Sequence, residues 1–423
     1  MQQTVKPANA IHGLVALPGD KSISHRFGMI GAIAEGTTTI SNYSTGADCQ
    51  STLGCMAALG ASVSRDESGR VVIQGGTLKA PSAQLDAGNS GTTIRMLTGI
   101  LAGQPFESSI AGDESLARRP MARIIKPLTE MGALIEAKDG TYPPLRIHGR
   151  KLKGIDYTLP MASAQVKSAV LFAGLFADGD TIVREPVMTR DHTEVAFKEF
   201  GADLTSASRV ITLRAGAKLT GREVVVPGDL SSACFFLVAA LLAKDADLVI
   251  QGVGVNPTRS ALLDFLVGLG GNITVHDVHQ SGGELIANLR VRTSKVSGGV
   301  IEGALTAALI DEIPALAVLG AAGGGLTVRN ASELRVKETD RIATIESNMR
   351  RMGIQIETAP DGFHIPGGQK FRAAEVDSAG DHRIAMAFAI AALSADGPCT
   401  IHDAAAASVS FPEFYDTLTH IAA

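Results

Sequence analysis

Charged residues fall in short blocks whose composition suits acid–base work on anions. Leu334-Arg-Val-Lys-Glu-Thr-Asp-Arg-Ile342 sets Lys337 and Arg341 four residues apart, with Glu338 beside Lys337. If Lys337 begins a helix, the two cations share one face. Such a block serves either as a solvated, salt-bridged helix start or as a proton-transfer Lys–Glu pair next to an anion-binding Arg. Asp311-Glu312 precedes the apolar run Pro314 to Gly320. A carboxylate there caps a helix, or, ringed by cations, acts as a general base. Further basic residues are Lys21 and Arg26, Arg95, the group Arg118, Arg119 and Arg123, then Lys167, Arg190, Arg335 and Arg383.

These residues have to be positioned, and internal repetition shows how. Pro18-Gly-Asp-Lys-Ser-Ile-Ser-His-Arg26 matches Pro227-Gly-Asp-Leu-Ser-Ser-Ala-Cys-Phe235; each is followed by a small-residue apolar run (Met29 to Ala34, Val238 to Ala243) and a strand-like run (Thr37 to Ser41, Asp247 to Gln251). Similar openings begin at Asn89, Ser163, Asp311 and Asp381. Each reads as a helix N-terminus with a small or acidic cap. A second helix in each unit ends before a glycine, at Leu59-Gly60, Met131-Gly132, Phe200-Gly201, Leu269-Gly270 and Met352-Gly353, as a helix C-terminus favours. The final helix is expected over Phe411 to Ile421, with no strand after it. The result is an α/β chain of six units of about 70 residues, longer than solenoid periods. They group three and three: residues 1–19 with 228–423 as one domain, 20–227 as the other, with crossings near 17–20 and 226–229. Helix N-termini attract anions through free N–H groups and the helix dipole. Cations repeated at such openings, in a chain of net charge −5, point to a cleft for small phosphates and carboxylates held by Arg.

Composition removes other classes. The net charge and pI near 6.1 argue against a nucleic-acid surface, and 4% aromatics with no Trp leave no stacking platform for single strands. The first ten residues carry no targeting pattern. The most apolar stretch, Ala233 to Ala243, is too short for a bilayer, which needs roughly 20 residues. Cys49, Cys55, Cys234 and Cys399 show no metal or disulfide spacing and read as buried small hydrophobes of a reducing, cytoplasmic protein. Gly13 to Ser22 resembles a Walker A loop, but Asp20 precedes Lys21 where that loop needs Gly. His25, His192 and His382 lack metal-ligand spacing.

Taken together, Gly19-Asp-Lys-Ser-Ile-Ser-His-Arg26, Gly88-Asn-Ser-Gly-Thr-Thr-Ile-Arg95, Arg119-Pro-Met121, Arg335-Val-Lys-Glu-Thr-Asp-Arg341 and Asp381-His-Arg383 resemble the 5-enolpyruvylshikimate-3-phosphate synthases, in order, from about Lys21 to Pro412. The resemblance implies the two-domain enolpyruvyl transferase fold, each domain three βαβαββ units in an inside-out α/β barrel, closing on substrate in the interdomain cleft. It implies transfer of an enolpyruvyl group from phosphoenolpyruvate to the 5-hydroxyl of shikimate 3-phosphate, in aromatic amino acid biosynthesis. The route is addition–elimination through a tetrahedral intermediate, without metal or cofactor. By matching motif, Lys21, Asp311 and Glu338 would be catalytic. Shikimate 3-phosphate would fall to Lys21, Ser22, Arg26, Ser163, Ala164, Gln165, Arg190, Asp311 and Lys337, and phosphoenolpyruvate to Lys21, Gly91, Arg119, Gln165, Arg341 and Arg383. Asp311 would take the 5-hydroxyl proton, while Lys21 and Glu338 serve the enolpyruvyl carbons.

Val409 stands where many relatives carry Lys, which puts one contact to the phosphoenolpyruvate phosphate in doubt. Gly19-Asp-Lys-Ser22, Ser163-Ala-Gln-Val-Lys167, Arg190-Asp-His-Thr-Glu194 and Asn256-Pro-Thr-Arg259 look like the four motifs of the second, often glyphosate-tolerant class, so partial tolerance of glyphosate is expected. UDP-N-acetylglucosamine enolpyruvyl transferases share fold and donor, but carry Lys-Asn where this chain has Lys21-Ser22, and usually a Cys in the loop that here runs Gly112 to Pro120 without one. A catalytically silent binder on the same fold would have lost Lys21, Asp311 or Glu338, and all are present. No dimer seam stands out, so a monomer is expected, with no nucleic-acid or membrane partner.

Overall fold

The computed structural model describes residues 1–422. Contacts divide the chain into a terminal unit (Met1–Pro18, Pro227–His279 and Leu285 onward) and a central unit (Gly19–Val226 with Gln280–Glu284).

In the central unit a βαβαββ pattern recurs. Its second copy runs Leu85–Asp86, helix Gly91–Ala102, Glu107–Ala111, helix Ala122–Glu130, Leu134–Lys138 and Tyr142–His148, with a short helix Glu114–Ala117 in one connection. Leu85–Asp86 pairs parallel with Glu107–Ala111, which pairs antiparallel with Tyr142–His148, itself antiparallel to Leu134–Lys138. The parallel pair is joined by a buried helix, as parallel strands require. The third copy repeats this order with Asp156–Thr158, Thr181–Arg184, Val210–Leu213 and Leu204–Ala207. The first copy takes its parallel strand, Glu223–Val225, from the far end of the unit.

The terminal unit follows the same plan. Ala10–Ala16 runs parallel to Asp245–Gly254 in a sheet with Glu284–Arg292 and Asn272–Ser281. Gly299–Ile301, Gly325–Val328, Gly362–Pro366 and Glu357–Ala359 form the second sheet. The third has Glu375–Asp377 parallel to Cys399–His402, and Gln3–Val5 adds antiparallel to the latter. The chain start thus supplies the strand that the last repeat lacks.

Burial follows from sequence. Helices Leu230–Leu242 and Ile313–Ala322 are apolar on nearly every side, and a helix of that kind belongs inside. In Leu230–Leu242 every residue but the last is buried, and His382–Leu393 is buried throughout. Ile313–Ala322 packs with both of them. The central unit has Lys21–Ile33, Gly91–Ala102 and Ala164–Gly174 in this role. Sheets show one face inward: along Tyr142–His148, Pro143, Leu145 and Ile147 are buried and their neighbours more exposed, the alternation of a sheet covered on one side. Each unit has its own core, helices inside and sheets outside. Among the described residues no helix is long and apolar enough to cross a membrane.

The helix-ending glycines behave as expected. Gly60, Gly132, Gly201, Gly270 and Gly353 have φ of +96°, +98°, +97°, +94° and +79°, the left-handed conformation that ends helices and suits a residue without Cβ. One boundary differs. The final helix is Phe414–Ile421, preceded by a 3-10 turn, Ala404–Val409. Phe411 stands before Pro412, whose ring disfavours helical geometry in the preceding residue. It packs instead on Phe414 with ring centroids 5.9 Å apart.

Candidate active site

Five of the six repeated openings are capped by the side chain the sequence offers. Asp20 accepts from the Ile23 N–H, Ser90 from Thr93, Ser163 from Val166, Asp229 from Ser231 and Asp381 from Arg383. The caps fix where each helix starts, and therefore where the adjoining chemistry-bearing residues stand. At the sixth, helix Ile313–Ala322, Glu312 holds the cap position without a side-chain bond to the backbone. Its carboxylate meets the Ser231 hydroxyl and lies 3.9 Å from Arg259.

In the central unit, Lys21 opens its helix and donates from Nζ to Asp48 Oδ2 at 3.1 Å, with both side chains largely buried. Ser22 follows, half-buried, and its carbonyl accepts from Arg26 Nη1 at 2.8 Å. Arg26 is buried: Nε donates to Thr193 Oγ1 at 2.6 Å and Nη2 to Ser168 Oγ at 2.8 Å. Burial pulls its pKa down to about 10, against the opposing pull of Glu194 and Asp20.

Gly91, Arg95, Arg119 and Gln165 come together. Arg95 Nη1 donates to Gln165 Oε1 at 2.7 Å, and Gln165 Nε2 to Thr92 Oγ1 at 3.0 Å. Arg119 Nη2 donates to Asn89 Oδ1 at 2.8 Å and Ser115 Oγ at 3.2 Å. A Cβ on Gly91 would lie 2.9 Å from Arg95 Nη1 and 3.5 Å from Arg119 Nη1. Two guanidinium groups therefore lie over the first turn of a helix, where its dipole adds to their field. Helices Gly91–Ala102 and Ala164–Gly174 bring these groups together because they touch backbone to backbone: a Cβ on Gly99 would sit 2.2 Å from the Ala169 carbonyl oxygen. Ser163 and Ala164 form the cap and first residue of the second helix, and Arg190 lies half-buried just before helix His192–Glu199.

The terminal unit assembles the other predicted residues around one carboxylate. Asp311 Oδ1 lies 3.8 Å from Lys337 Nζ, 3.6 Å from Arg341 Nη1 and 3.9 Å from Arg383 Nε. Its carbonyl accepts from Arg383 Nη1 at 3.0 Å. Arg341 is 1% exposed and bound by Asp381 through Nε at 2.7 Å and by Glu338 through Nη2 at 2.7 Å. Burial would lower the Arg341 pKa, but Asp381, Glu338 and Asp311 outweigh it and hold the group above its ordinary value. Arg341 is thus a fixed charge within a carboxylate frame, and Asp311 and Glu338, at 18% and 19% side-chain exposure, keep some access to solvent.

Three sequence expectations need correction. Lys337 does not begin a helix: it follows the 3-10 turn Ser332–Val336 in extended geometry, and helix Arg341–Arg351 starts after Asp340, whose carboxylate accepts from Ala343 N at 3.0 Å. A capping Asp one residue before Arg341 decides the start. Lys337 meets Arg341 at Asp311 instead of along a helix face. Lys167 is not an anion-facing cation; it is fully buried, 2.6 Å from Glu194 and 3.1 Å from Glu185. Arg335 is likewise turned to the fold, bonding the Ala359 and Pro360 carbonyls and Asp340. Arg95, Asp48 and Asp381 also contact the candidate residues, through Gln165, Lys21 and Arg341. Arg95 and Asp381 belong to the blocks Gly88–Arg95 and Asp381–Arg383, whereas nothing in the sequence links Asp48 to Lys21.

Comparison with known proteins agrees over the whole length. The family described as EPSP synthase (3-phosphoshikimate 1-carboxyvinyltransferase) matches residues 5–418. A 3-phosphoshikimate 1-carboxyvinyltransferase of Solibacter usitatus is 62% identical over 425 residues, covering 100% of both chains. One of Koribacter versatilis is 51% identical over 420 residues, covering 99% of this chain and 98% of its own. The structure of EPSP synthase from Acinetobacter baumannii superposes with a TM-score of 0.89 at 43% identity, covering 100% of this chain and 98% of that one. With repeats, site blocks, identity and fold all in agreement along its full length, the chain belongs to the EPSP synthase family.

Proposed function

We propose that the chain transfers the enolpyruvyl group of phosphoenolpyruvate to the 5-hydroxyl of shikimate 3-phosphate, releasing phosphate, with Asp311 as the base. The observation that carries this is the Asp311 carboxylate set 3.6–3.9 Å from Lys337, Arg341 and Arg383. Cations at that range complement its negative charge. They also offer fixed positive charge to the anions that must arrive beside it, the kind of preorganised field that stabilises charge moving in a transition state.

In this reading Asp311 takes the 5-hydroxyl proton as the oxygen bonds to C2 of phosphoenolpyruvate, and C3 gains a proton. The tetrahedral adduct then loses a C3 proton as the bond from C2 to the phosphate oxygen breaks. Lys21 and Glu338 serve those two transfers at C3. Shikimate 3-phosphate is held by Lys21, Ser22, Arg26, Ser163, Ala164, Gln165, Arg190, Asp311 and Lys337, and phosphoenolpyruvate by Lys21, Gly91, Arg119, Gln165, Arg341 and Arg383. Arg95 joins the second set, since it donates to Gln165 and reaches over Gly91. The groups of the two units act together when the units close on substrate, with the crossings near 17–20 and 226–229 as hinge. Closure excludes water, which protects phosphoenolpyruvate from hydrolysis. The enzyme works as a cytoplasmic monomer of the second class and is partly tolerant of glyphosate. An inhibition constant far below the phosphoenolpyruvate Michaelis constant would overturn the tolerance.

The test is phosphate release from shikimate 3-phosphate plus phosphoenolpyruvate in chelator, with UDP-N-acetylglucosamine as the alternative acceptor. Release that requires shikimate 3-phosphate is expected. Folded protein that releases phosphate with neither acceptor would refute the proposal.

A further inference from the structure

Beneath the shikimate 3-phosphate residues of the central unit lies a charged layer that no step above uses. Lys167, in helix Ala164–Gly174, is fully buried between Glu194 Oε1 at 2.6 Å and Glu185 Oε1 at 3.1 Å. The two glutamates are also buried, and they flank the loop that carries Arg190. Glu185 follows strand Thr181–Arg184, and Glu194 lies in the first turn of helix His192–Glu199. Within the loop, Glu185 Oε1 accepts from the Thr189 hydroxyl at 2.5 Å and the Thr189 N–H at 3.2 Å. One ammonium group therefore ties the helix opened by Ser163 and Ala164 to both ends of the Arg190 loop, and the Glu185–Thr189 contact carries the tie to the residue next to Arg190.

A buried ion cluster is weak evidence for stability, because desolvation offsets its attraction and apolar replacements often do as well. Its placement here suits positioning better. A neighbouring contact set points the same way: Thr193 Oγ1 is 2.6 Å from Ser168 Oγ, and both accept from Arg26. The loop is also where a single arginine has to meet a phosphate, and bidentate Arg–phosphate geometry is directional.

We propose that Lys167, Glu185 and Thr189 are positioning residues that set the place of Arg190 relative to Ser163 and Ala164, and so set affinity for the phosphate of shikimate 3-phosphate. The inference rests on the function proposed above and adds the residues that govern one substrate.

The deciding variant is Thr189→Val, which removes one hydroxyl at nearly constant shape, compared with Thr189→Ser, which keeps it. In steady-state phosphate release, Thr189→Val is expected to raise the KM for shikimate 3-phosphate about tenfold while the KM for phosphoenolpyruvate moves less than twofold, and Thr189→Ser is expected to restore it. This range corresponds to loss of an ordinary hydrogen bond to a charged group. Lys167→Met should show the same split more strongly where it folds. Equal changes in both KM values, or none with Thr189→Val, would overturn the inference while leaving the reaction intact. Unmodified protein that shows no turnover dependent on shikimate 3-phosphate would instead overturn the reading of the reaction.

Discussion

Replacing Asp311 by Asn keeps the shape of the side chain and removes its charge and its ability to take a proton. Its carboxylate oxygen lies 3.6–3.9 Å from three cationic nitrogens. At about 4 Å and an effective dielectric near 20, each such contact amounts to about 4 kcal/mol of attraction, before the cost of partial burial. Two consequences separate. Loss of a general base lowers kcat by about 10²–10⁴-fold, or about 3–5 kcal/mol of barrier. The cations no longer face a carboxylate, so the site becomes more positive, and the KM for phosphoenolpyruvate should stay level or fall. Initial rates of phosphate release, with each substrate varied at saturating partner, measure both quantities. A kcat within tenfold of the unmodified protein would refute the base assignment. A raised KM for shikimate 3-phosphate with kcat intact would instead leave Asp311 its binding role alone.

Gly91→Ala places a methyl group 2.9 Å from Arg95 Nη1 and 3.5 Å from Arg119 Nη1; both are ends of flexible side chains. The melting temperature should therefore hold, while the KM for phosphoenolpyruvate rises a few-fold and the inhibition constant for glyphosate rises more, as competitive kinetics would show. Gly99→Ala should do the opposite. Ala in a helix interior is normally favoured over Gly by about 1 kcal/mol, but here its Cβ would be 2.2 Å from the Ala169 carbonyl oxygen. Overpacking of this sort costs about 1–3 kcal/mol, readable as a lower urea midpoint. His25 has its pKa held well below 6.5 by burial, then by Lys21 and Arg26. Below pH 6.5 the unfolded chain takes up a proton that the folded chain does not, so stability falls with pH by up to about 1.4 kcal/mol per unit. His25→Gln should flatten that slope in urea titrations between pH 7.5 and 5.

What the sequence reveals best is local. Helix starts at Asp20, Ser90, Ser163, Asp229 and Asp381, and helix ends at five glycines, follow from chemistry confined to one turn. The apolar helices reveal their burial because no polar face is left for water. Long-range partners leave no such mark. Lys167 looks like the other cations at helix openings, and only folding brings Glu185 and Glu194 against it. Lys337 and Arg341 have helix spacing, yet Asp340 intervenes as the cap. The convergence of Lys337, Arg341 and Arg383 on Asp311 joins segments far apart in the chain. In the sequence those residues are linked by motif resemblance and not by periodicity.

The four cysteines have a practical consequence. All are free and buried. Burial pushes their thiols up, Cys55 to about 12 and Cys49, Cys234 and Cys399 likewise upward. Thiolate is the reactive form, so near neutral pH an alkylating or disulfide-forming reagent finds almost none on the folded chain. Each thiol then becomes a silent reporter that reacts when its surroundings open. Cys234 lies in the terminal unit and Cys49 and Cys55 in the central one. Timed labelling read by peptide mass would therefore clock the opening of each unit separately, in unmodified protein and without a dye or an engineered probe.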